Sequence, residues 1–230
     1  MGSTGAKKGG GGTDFSKLYV PDLNYDKFTD FGQGGTNGDK WFDNPKLSNA
    51  KDWRENQLTP AEKSAIDDYT GVGYHVNDYL YTKPFEDMSI HYQGLTNRLE
   101  DALNKFSLNK GINTTRQTDF KVFKGAHTID GIKNFLAKNG GFVQHNGFVS
   151  SGADNHGVSI AGSGLVIHYK VPPSDGAGAY VRQLGMGGEN EYLFNRNAIF
   201  HYDANSLYKG SDGKIHVTAI WVGRNSKQVF

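Results

Sequence analysis

Glu189 and Glu191 flank a single residue, and they are the side chains of this sequence best placed to do chemistry together. They follow a glycine-rich run at residues 185–188 and precede an apolar segment at residues 192–194. In a strand, residues two apart face the same side, so the Cα atoms of the two glutamates would lie about 6.5 Å apart on one face. One carboxylate can stay ionised to stabilise a developing cation while the other moves a proton, which is what displacement at a sugar carbon requires. Glu-x-Glu is also common on solvated strands, so the pair needs support from its neighbours.

Two other segments end in polar side chains that could serve the same site. An apolar run at residues 147–149 ends in the hydroxyls of Ser150 and Ser151. An earlier apolar run at residues 120–123 ends in the cation of Lys124, followed by Gly125. Both runs are typical of short strands. The sequence therefore predicts, in chain order, a strand ending in a cation, a strand ending in two serines and a strand that begins at paired carboxylates.

Several other kinds of site are excluded by the sequence. Cysteine is absent, which excludes a disulfide framework, a thiolate zinc site and a cysteine nucleophile. None of the eight histidines has a partner four residues away, so we expect no metal site of that helical kind and no metal in general. The glycines at residues 32–35 follow no apolar strand, so we interpret them as a plain loop rather than a dinucleotide-binding turn.

The length and charge of the chain limit its class. It has 230 residues with 25 basic and 24 acidic side chains, a net charge of +1, so nucleic acid is not expected as a primary partner. No apolar run approaches the roughly 18 residues of a membrane span, so we expect no membrane partner. Residues 1–14 lack the apolar stretch of a classical signal peptide and are interpreted as a flexible leader. We expect an irregular N-terminal lobe at residues 15–57 and the main domain at residues 58–230.

Three helices are predicted in the main domain. Thr59 and Glu62 form a capping-box pattern around a proline, so a helix should begin there and end near Gly71. A second helix is predicted over about residues 87–105 from leucines and alanine at helical spacing, and a third over residues 128–140.

Short strands separated by turns of glycine and asparagine follow the second helix. Helices first and strands afterwards predict an α+β domain with helices packed on a mainly antiparallel sheet. The candidate strands are residues 120–123, 141–149, 165–171, 191–194, 198–201 and 215–221.

In their order along the chain, the cation, the serines and the Glu-x-Glu pair resemble the mono-ADP-ribosyltransferases of the Arg, Ser-Thr-Ser, Glu-x-Glu class, which include clostridial binary toxins and exoenzymes. Residues 58–80 are similar to the family's helix with its Tyr-Thr-Gly turn and following Asn. Val-Pro at residues 171–172 and Gly-Ala-Tyr at residues 178–180 resemble the block that precedes the family's glutamates. The resemblance covers about residues 58–222.

This resemblance implies the ADP-ribosyltransferase fold, with N-terminal helices packed on a two-sheet, mainly antiparallel β core and an NAD cleft. It places the NAD pyrophosphate near Lys124 and Gly125, where the family usually has an arginine. Lysine lacks the planar fork that binds phosphate in a bidentate way, so NAD binding would be weaker, or Arg116 or Arg182 would supply the contact.

The resemblance also assigns the catalytic residues. Ser150 matches the first serine of Ser-Thr-Ser, which positions the catalytic glutamate, and Ser151 stands for the threonine in the NAD site. Glu191 matches the catalytic glutamate, which stabilises the oxocarbenium character of the ribose. Glu189 matches the glutamate that orients or deprotonates the acceptor, and a carboxylate there goes with arginine as the acceptor. The loops at residues 153–164 and 180–188 correspond to the family's mobile flap and its substrate-recognition turn.

The implied function is transfer of ADP-ribose from NAD to an arginine of a host protein, with release of nicotinamide. Such enzymes occur as secreted toxins, injected effectors and bacteriophage proteins, so we expect action in the host cytoplasm after delivery. Two alternatives stay open: an NAD glycohydrolase, in which water replaces the acceptor, and a degenerate family member that only binds a partner.

Overall fold

The structure is a computed structural model that describes residues 15–21, 28–29, 48–153, 158–159, 163–181, 191–226 and 228. Most of the predicted leader and lobe, and the residues around Glu189, lie outside these ranges. The described helices are α1 (Ser48–Asp52), which continues into a π-helical turn (Trp53–Gln57), α2 (Pro60–Thr82), α3 (Ile90–Asn104) and α4 (Ile129–Lys138). Short 3-10 turns occur at Phe15–Lys17, Phe85–Asp87 and Phe120–Phe123.

Helix α2 begins where the sequence predicts but runs much further. Its capping box is present, with the Thr59 backbone N–H donating to Glu62 Oε2 at 2.8 Å and the Glu62 N–H donating to Thr59 Oγ1 at 3.3 Å. The predicted end near Gly71 is wrong, because the helix continues through Gly71 to Thr82. Val76 and Leu80 continue its buried stripe, and this packing outweighs the weak helix propensity of glycine.

Helices α3 and α4 confirm the predictions for those segments. The Ser89 side chain accepts from Tyr92 N at the start of α3, and Thr128 accepts from Gly131 N at the start of α4. Leu95, Leu99 and Leu103 of α3 are buried, as their helical spacing predicts.

The strands agree with prediction most closely where they are apolar. Two predicted strands, at residues 165–171 and 191–194, have the predicted bounds, and the two after them are longer than predicted. The predicted strand at 141–149 is two strands. The full set is β1 (Phe28–Thr29), β2 (Ser107–Leu108), β3 (Gly111–Thr118), β4 (Phe142–His145), β5 (Val149–Gly152), β6 (Val158–Ser159), β7 (Leu165–Val171), β8 (Ser174–Asp175), β9 (Gly178–Tyr180), β10 (Glu191–Phe194), β11 (Ala198–Lys209) and β12 (Ile215–Arg224).

The predicted strand at residues 120–123 is wrong. That segment is a 3-10 turn because the Asp119 side chain accepts a hydrogen bond from Lys121 N at 3.0 Å, which caps a helical turn, and Phe123 is buried beneath it. The strand in this region is β3, which lies just before the turn and was not predicted. Its sequence is polar, but threonines at positions 114, 115 and 118 favour extended backbone.

The large sheet has the strand order β4-β11-β12-β7-β3-β5-β10-β9, with β1 and β6 also pairing with β3, while β2 and β8 form a separate pair. Most neighbours are antiparallel, although β12 and β7 are parallel. Strand β3 pairs with β7 from Ile112 to Thr118 but meets β5 only at Thr115↔Gly152. This seam divides the sheet into a larger half, β4-β11-β12-β7-β3, and a smaller half, β5-β10-β9, in agreement with the predicted two-sheet core.

One hydrophobic core joins the helices to both halves of the sheet. An aromatic group at its centre contains Tyr169, Phe194 and Phe200, with ring centroids 4.7 to 5.1 Å apart. Trp53 is buried beside α3 and donates from Nε1 to Ala102 O at 2.9 Å. The fold is α+β as predicted. Within the described ranges, no helix combines the length and apolar character needed to cross a membrane.

Candidate active site

Strands β5 and β10 bring the predicted serines and Glu191 together. The register pairs Gly152 with Glu191, Ser151 with Tyr192 and Ser150 with Leu193. Because paired residues point to the same face and successive residues alternate, Ser150 and Glu191 lie diagonally on one face. Both are half-buried. The structure therefore supports the predicted placement of Ser150 beside Glu191.

Ser151 points to the opposite face of the same strand. It is fully buried, and its Oγ donates to Tyr192 O at 2.9 Å. This bond joins β5 to β10 next to Glu191, so Ser151 holds the two strands in register rather than facing the same side as Ser150.

Arg116 reaches this site from strand β3. Its neighbour Thr115 pairs with Gly152 at the seam, and Arg116 Nη1 donates to Ser150 O at 2.6 Å. Arg116 forms no ion pair with a carboxylate of the described part of the chain. A half-buried guanidinium thus lies beside Ser150, where it can bind an anion.

Lys124 is placed differently from the prediction. It lies in the exposed turn after Phe120–Phe123, with a left-handed backbone (φ 52°), and its N–H donates to Lys121 O at 2.9 Å. Gly125 follows with φ 84°, and its N–H donates to Phe120 O at 2.9 Å. The hydrogen bonds described for Lys124 and Gly125 stay within this turn, whereas Arg116 donates to the backbone of Ser150 on β5.

Helix α2 fixes the start of β5 through Asn77. The Asn77 Nδ2 donates to Phe148 O at 3.0 Å, and the Phe148 N–H donates to Asn77 Oδ1 at 2.9 Å. Gly147 allows this close approach, because a Cβ there would lie 2.6 Å from Asn77 Oδ1. Asn77 therefore positions the backbone just before Ser150.

Tyr69, also on α2, lies within the electric field of both Arg116 and Glu191. Its hydroxyl accepts from Asn77 Nδ2 at 2.9 Å. Burial raises the pKa of this hydroxyl and the Glu191 carboxylate raises it further, while the Asn77 hydrogen bond and the Arg116 cation oppose the rise. Sequence analysis included Tyr69 and Asn77 in a family segment but gave them no role. The structure shows α2, β3 and β10 converging on one site.

His145, Tyr81 and Tyr202 form a second polar group, on which the charge of Arg116 acts. His145, at the end of β4, has its Nδ1 3.1 Å from Tyr81 Oη and its Nε2 3.1 Å from Tyr202 Oη. Burial and the Arg116 cation lower the pKa of His145 to about 3, so the imidazole is neutral at physiological pH. Burial raises the pKa of Tyr169, which lies beside this group, to about 12.

Glu189 and Arg182 lie outside the described residues, as do parts of both predicted mobile loops. Among the residues that are described, no cluster of three or more His, Asp or Glu side chains could hold a metal ion. The arrangement joins a cation suited to phosphate with a carboxylate and a hydroxyl on an adjoining strand face, which suits cleavage of a bond at an anionic sugar derivative.

Comparison with known proteins identifies the family of the chain and its fold. A family model described as ADP-ribosyltransferase exoenzyme matches residues 44–222. No curated protein matches the sequence at a significant level. Solved structures of the same fold include the C3 exoenzyme of Clostridium limosum, which is 18% identical, with a TM-score of 0.67 over 86% of this chain and 99% of that chain.

Two further structures are similar. Plx2a, an ADP-ribosyltransferase toxin from Paenibacillus larvae, is 20% identical, with a TM-score of 0.64 over 80% of this chain and 94% of that chain. C3stau2 from S. aureus, solved with NAD, is 18% identical, with a TM-score of 0.58 over 78% of this chain and 96% of that chain. The match to the family model covers most of the sequence, and the chain belongs to the ADP-ribosyltransferase exoenzyme family, toxin-like enzymes that use NAD as substrate.

Proposed function

We propose that this protein transfers ADP-ribose from NAD to an arginine side chain of a host protein, with release of nicotinamide. The observation that carries the proposal is the hydrogen bond from Arg116 Nη1 to Ser150 O, on the strand whose Gly152 pairs with Glu191. It places the Arg116 cation against the strand that carries the Ser150 hydroxyl and that pairs with the strand beginning at Glu191.

Arg116 takes the role that the sequence suggested for Lys124. Its guanidinium can donate to phosphate in a bidentate manner, and its half-buried position at the seam strengthens that interaction relative to an exposed lysine. This removes the main departure from the family pattern, since an arginine is available for the NAD pyrophosphate. Lys124 in its exposed turn is dispensable under this proposal.

Glu191 stabilises the transition state. As the bond between the ribose and nicotinamide breaks, its electron pair leaves with nicotinamide and positive charge develops on the ribose. A half-buried carboxylate beside the ribose stabilises that charge more strongly than it would in water. Ser150, on the same face, holds Glu191 in place.

The acceptor is an arginine, because Glu189 supplies a second carboxylate two residues before Glu191. Its carboxylate pairs with the guanidinium and accepts the proton that is lost when the acceptor nitrogen bonds to the ribose. The target is a protein of the host cell, reached after secretion, injection or delivery by a bacteriophage.

The test is incubation of the protein with labelled NAD and host-cell lysate, followed by mass spectrometry of the labelled protein. We expect label on arginine with the wild type and a loss on the order of 10² or more, about 3 kcal/mol, with Glu191→Gln. Arg116→Ala should raise the KM for NAD strongly, whereas Lys124→Ala, the matched change of the exposed cation, should leave the kinetics unchanged.

Four results would contradict the proposal. Label on another residue type would exclude arginine as the acceptor. Loss of NAD without labelled protein would indicate a glycohydrolase, and no reaction with NAD would indicate a family member that only binds a partner. Loss of activity in Lys124→Ala but not in Arg116→Ala would return the phosphate site to Lys124.

A further inference from the structure

His145 is a buried titratable residue that the proposed reaction does not use. It is 7% exposed, and both ring nitrogens contact hydroxyls, Nδ1 with Tyr81 Oη and Nε2 with Tyr202 Oη, each at 3.1 Å. A neutral imidazole has one donor and one acceptor, which matches two hydroxyls that can each donate or accept. Phe200 packs edge-on against the ring at 5.3 Å between centroids.

The two hydroxyls belong to different layers of the fold. Tyr81 is on helix α2 and Tyr202 is on strand β11, which pairs with β4 from His201 to Ala198. His145 therefore joins α2 to the larger half of the sheet. The chain then passes through Gly147, where an added Cβ would lie 2.8 Å from Tyr81 Cε2, and into β5 with Ser150.

Among the described residues, Arg116 is the one charged group whose field acts on the pKa of His145. Burial raises the pKa of the Tyr81 and Tyr202 hydroxyls well above the usual range, and the Arg116 cation opposes the rise in both. Arg116 also lowers the pKa of His145, after burial. The guanidinium thus acts on all three side chains, and each of them is neutral at physiological pH.

We propose that His145 is a positioning residue for NAD: it holds Tyr81 and helix α2 against β11 without adding charge beside Arg116, so the whole charge of Arg116 acts on the pyrophosphate. This inference rests on the proposed function, because it assumes that Arg116 binds the pyrophosphate. A carboxylate at position 145 would pair with Arg116 and compete with the NAD pyrophosphate for the guanidinium. An alanine there would leave the Tyr81 hydroxyl without its hydrogen bond to His145.

The experiment is a comparison of KM for NAD, kcat and Tm in His145→Ala, His145→Gln and His145→Glu. We expect KM to rise about tenfold in His145→Ala, the equivalent of one lost hydrogen bond, and further in His145→Glu. His145→Gln, which keeps a neutral donor and acceptor, should restore most of the affinity. The kcat should change less than about twofold, because Glu191 and Ser150 are untouched. His216→Gln is the matched control, a histidine on strand β12 whose ring contacts are with His168 and Asp212.

A fall in Tm without a change in KM in His145→Ala would show that the imidazole only supports the fold and would overturn the inference. If an alanine at this position prevents folding, Tyr81→Phe decides, since it removes the same hydrogen bond and keeps the ring: an unchanged KM overturns the inference and a raised KM supports it.

Arg116→Ala separates the two proposals. If it leaves KM unchanged, the role of Arg116 in the proposed function fails and this inference fails with it; if it raises KM and the His145 variants do not, only the role of His145 fails.

Discussion

Asn77 is the residue whose contacts reach furthest into the site. One side chain bonds to both backbone groups of Phe148 and to the hydroxyl of Tyr69. A side chain that pairs with the N–H and the C=O of one residue replaces a partner strand at that point. It therefore determines where β5 begins, just before Arg116 meets Ser150 O.

Asn77→Ala should lower the free energy of unfolding by about 2–4 kcal/mol, because it leaves two backbone groups of the buried Phe148 without these partners. Urea denaturation gives the value. The matched control is Asn97→Ala, the same change at an exposed position of helix α3, which should alter stability by less than about 0.5 kcal/mol. Equal effects of the two changes would show that the Asn77 bonds add nothing to stability.

At this scale the sequence points to a residue when the neighbouring residues carry a signal. Glu191 and Ser150 could be proposed as site residues because each adjoins a short apolar strand with a recognisable motif, and the structure places both on one face of β5 and β10. Arg116 was named only as a substitute for Lys124, because its strand is polar, while the apolar residues 120–123 imitate a strand that ends in a cation. The error follows from a tertiary effect: β3 obtains its pairing from β7 and needs no apolar alternation of its own.

Helix α2 supplies Tyr69, Asn77 and Tyr81 from one continuous element, although it contains Gly73 and also Gly71, near which the sequence predicted its end. A Cβ on Gly71 would have no atom within 4 Å, whereas a Cβ on Gly73 would lie 3.0 Å from Tyr69 Cζ. Both positions are helical, but only Gly73 is a point of close contact.

Gly71→Ala should raise the free energy of unfolding by about 0.5–1 kcal/mol, because alanine favours the helix and has free space there. Gly73→Ala should gain less or lose stability, since the Tyr69 ring must move, and it should also weaken NAD binding. Thermal unfolding and NAD titration of the two variants measure both effects. Equal stabilisation by the two alanines would contradict the close contact at Gly73.

The predicted helices and most of the predicted strands were identified from local signals, namely caps, apolar stripes and turn glycines. Most of these elements are present in the structure. The end of α2, the break in the strand predicted at 141–149 and the extension of β11 to Lys209 do not follow from such signals. For the two strands a partner distant in sequence decides: Asn77 holds Phe148 between β4 and β5, and β12 pairs with β11 up to Lys209. For α2, the burial of Val76 and Leu80 continues the helix past Gly71.

Across the whole molecule, buried histidines make stability depend on pH. Burial lowers the pKa of His145 to about 3 and also lowers the pKa of His168 and His201. The folded protein therefore binds fewer protons than the unfolded chain below the ordinary histidine pKa of about 6.5, and its stability falls as the pH falls. For Glu62, burial raises the pKa, but hydrogen bonds from Lys105 and Thr59 outweigh it and lower the pKa below its ordinary value. The stability that Glu62 contributes is therefore also lost as the pH falls, but at a lower pH than the contribution of the histidines.

The free energy of unfolding should fall between pH 7 and pH 5, with His145 contributing about 2 kcal/mol of the loss at pH 5. His145→Gln should remove that share of the slope, because glutamine does not titrate. Denaturation curves of the variant and the wild type at several pH values measure it. A slope that is the same in His145→Gln and wild type would show that the buried imidazole is not the source.

The seam at Thr115↔Gly152 has a mechanical consequence. Arg116 belongs to the larger half of the sheet and Glu191 to the smaller half, and one residue pair joins the strands β3 and β5 between them. Under the proposed function, a small rotation about this joint would change the distance between Arg116, which binds the pyrophosphate, and Glu191, which stabilises the ribose cation, while breaking few backbone hydrogen bonds. The joint would then be an axis about which the two halves of the sheet close on the dinucleotide and open again after its glycosidic bond is cleaved.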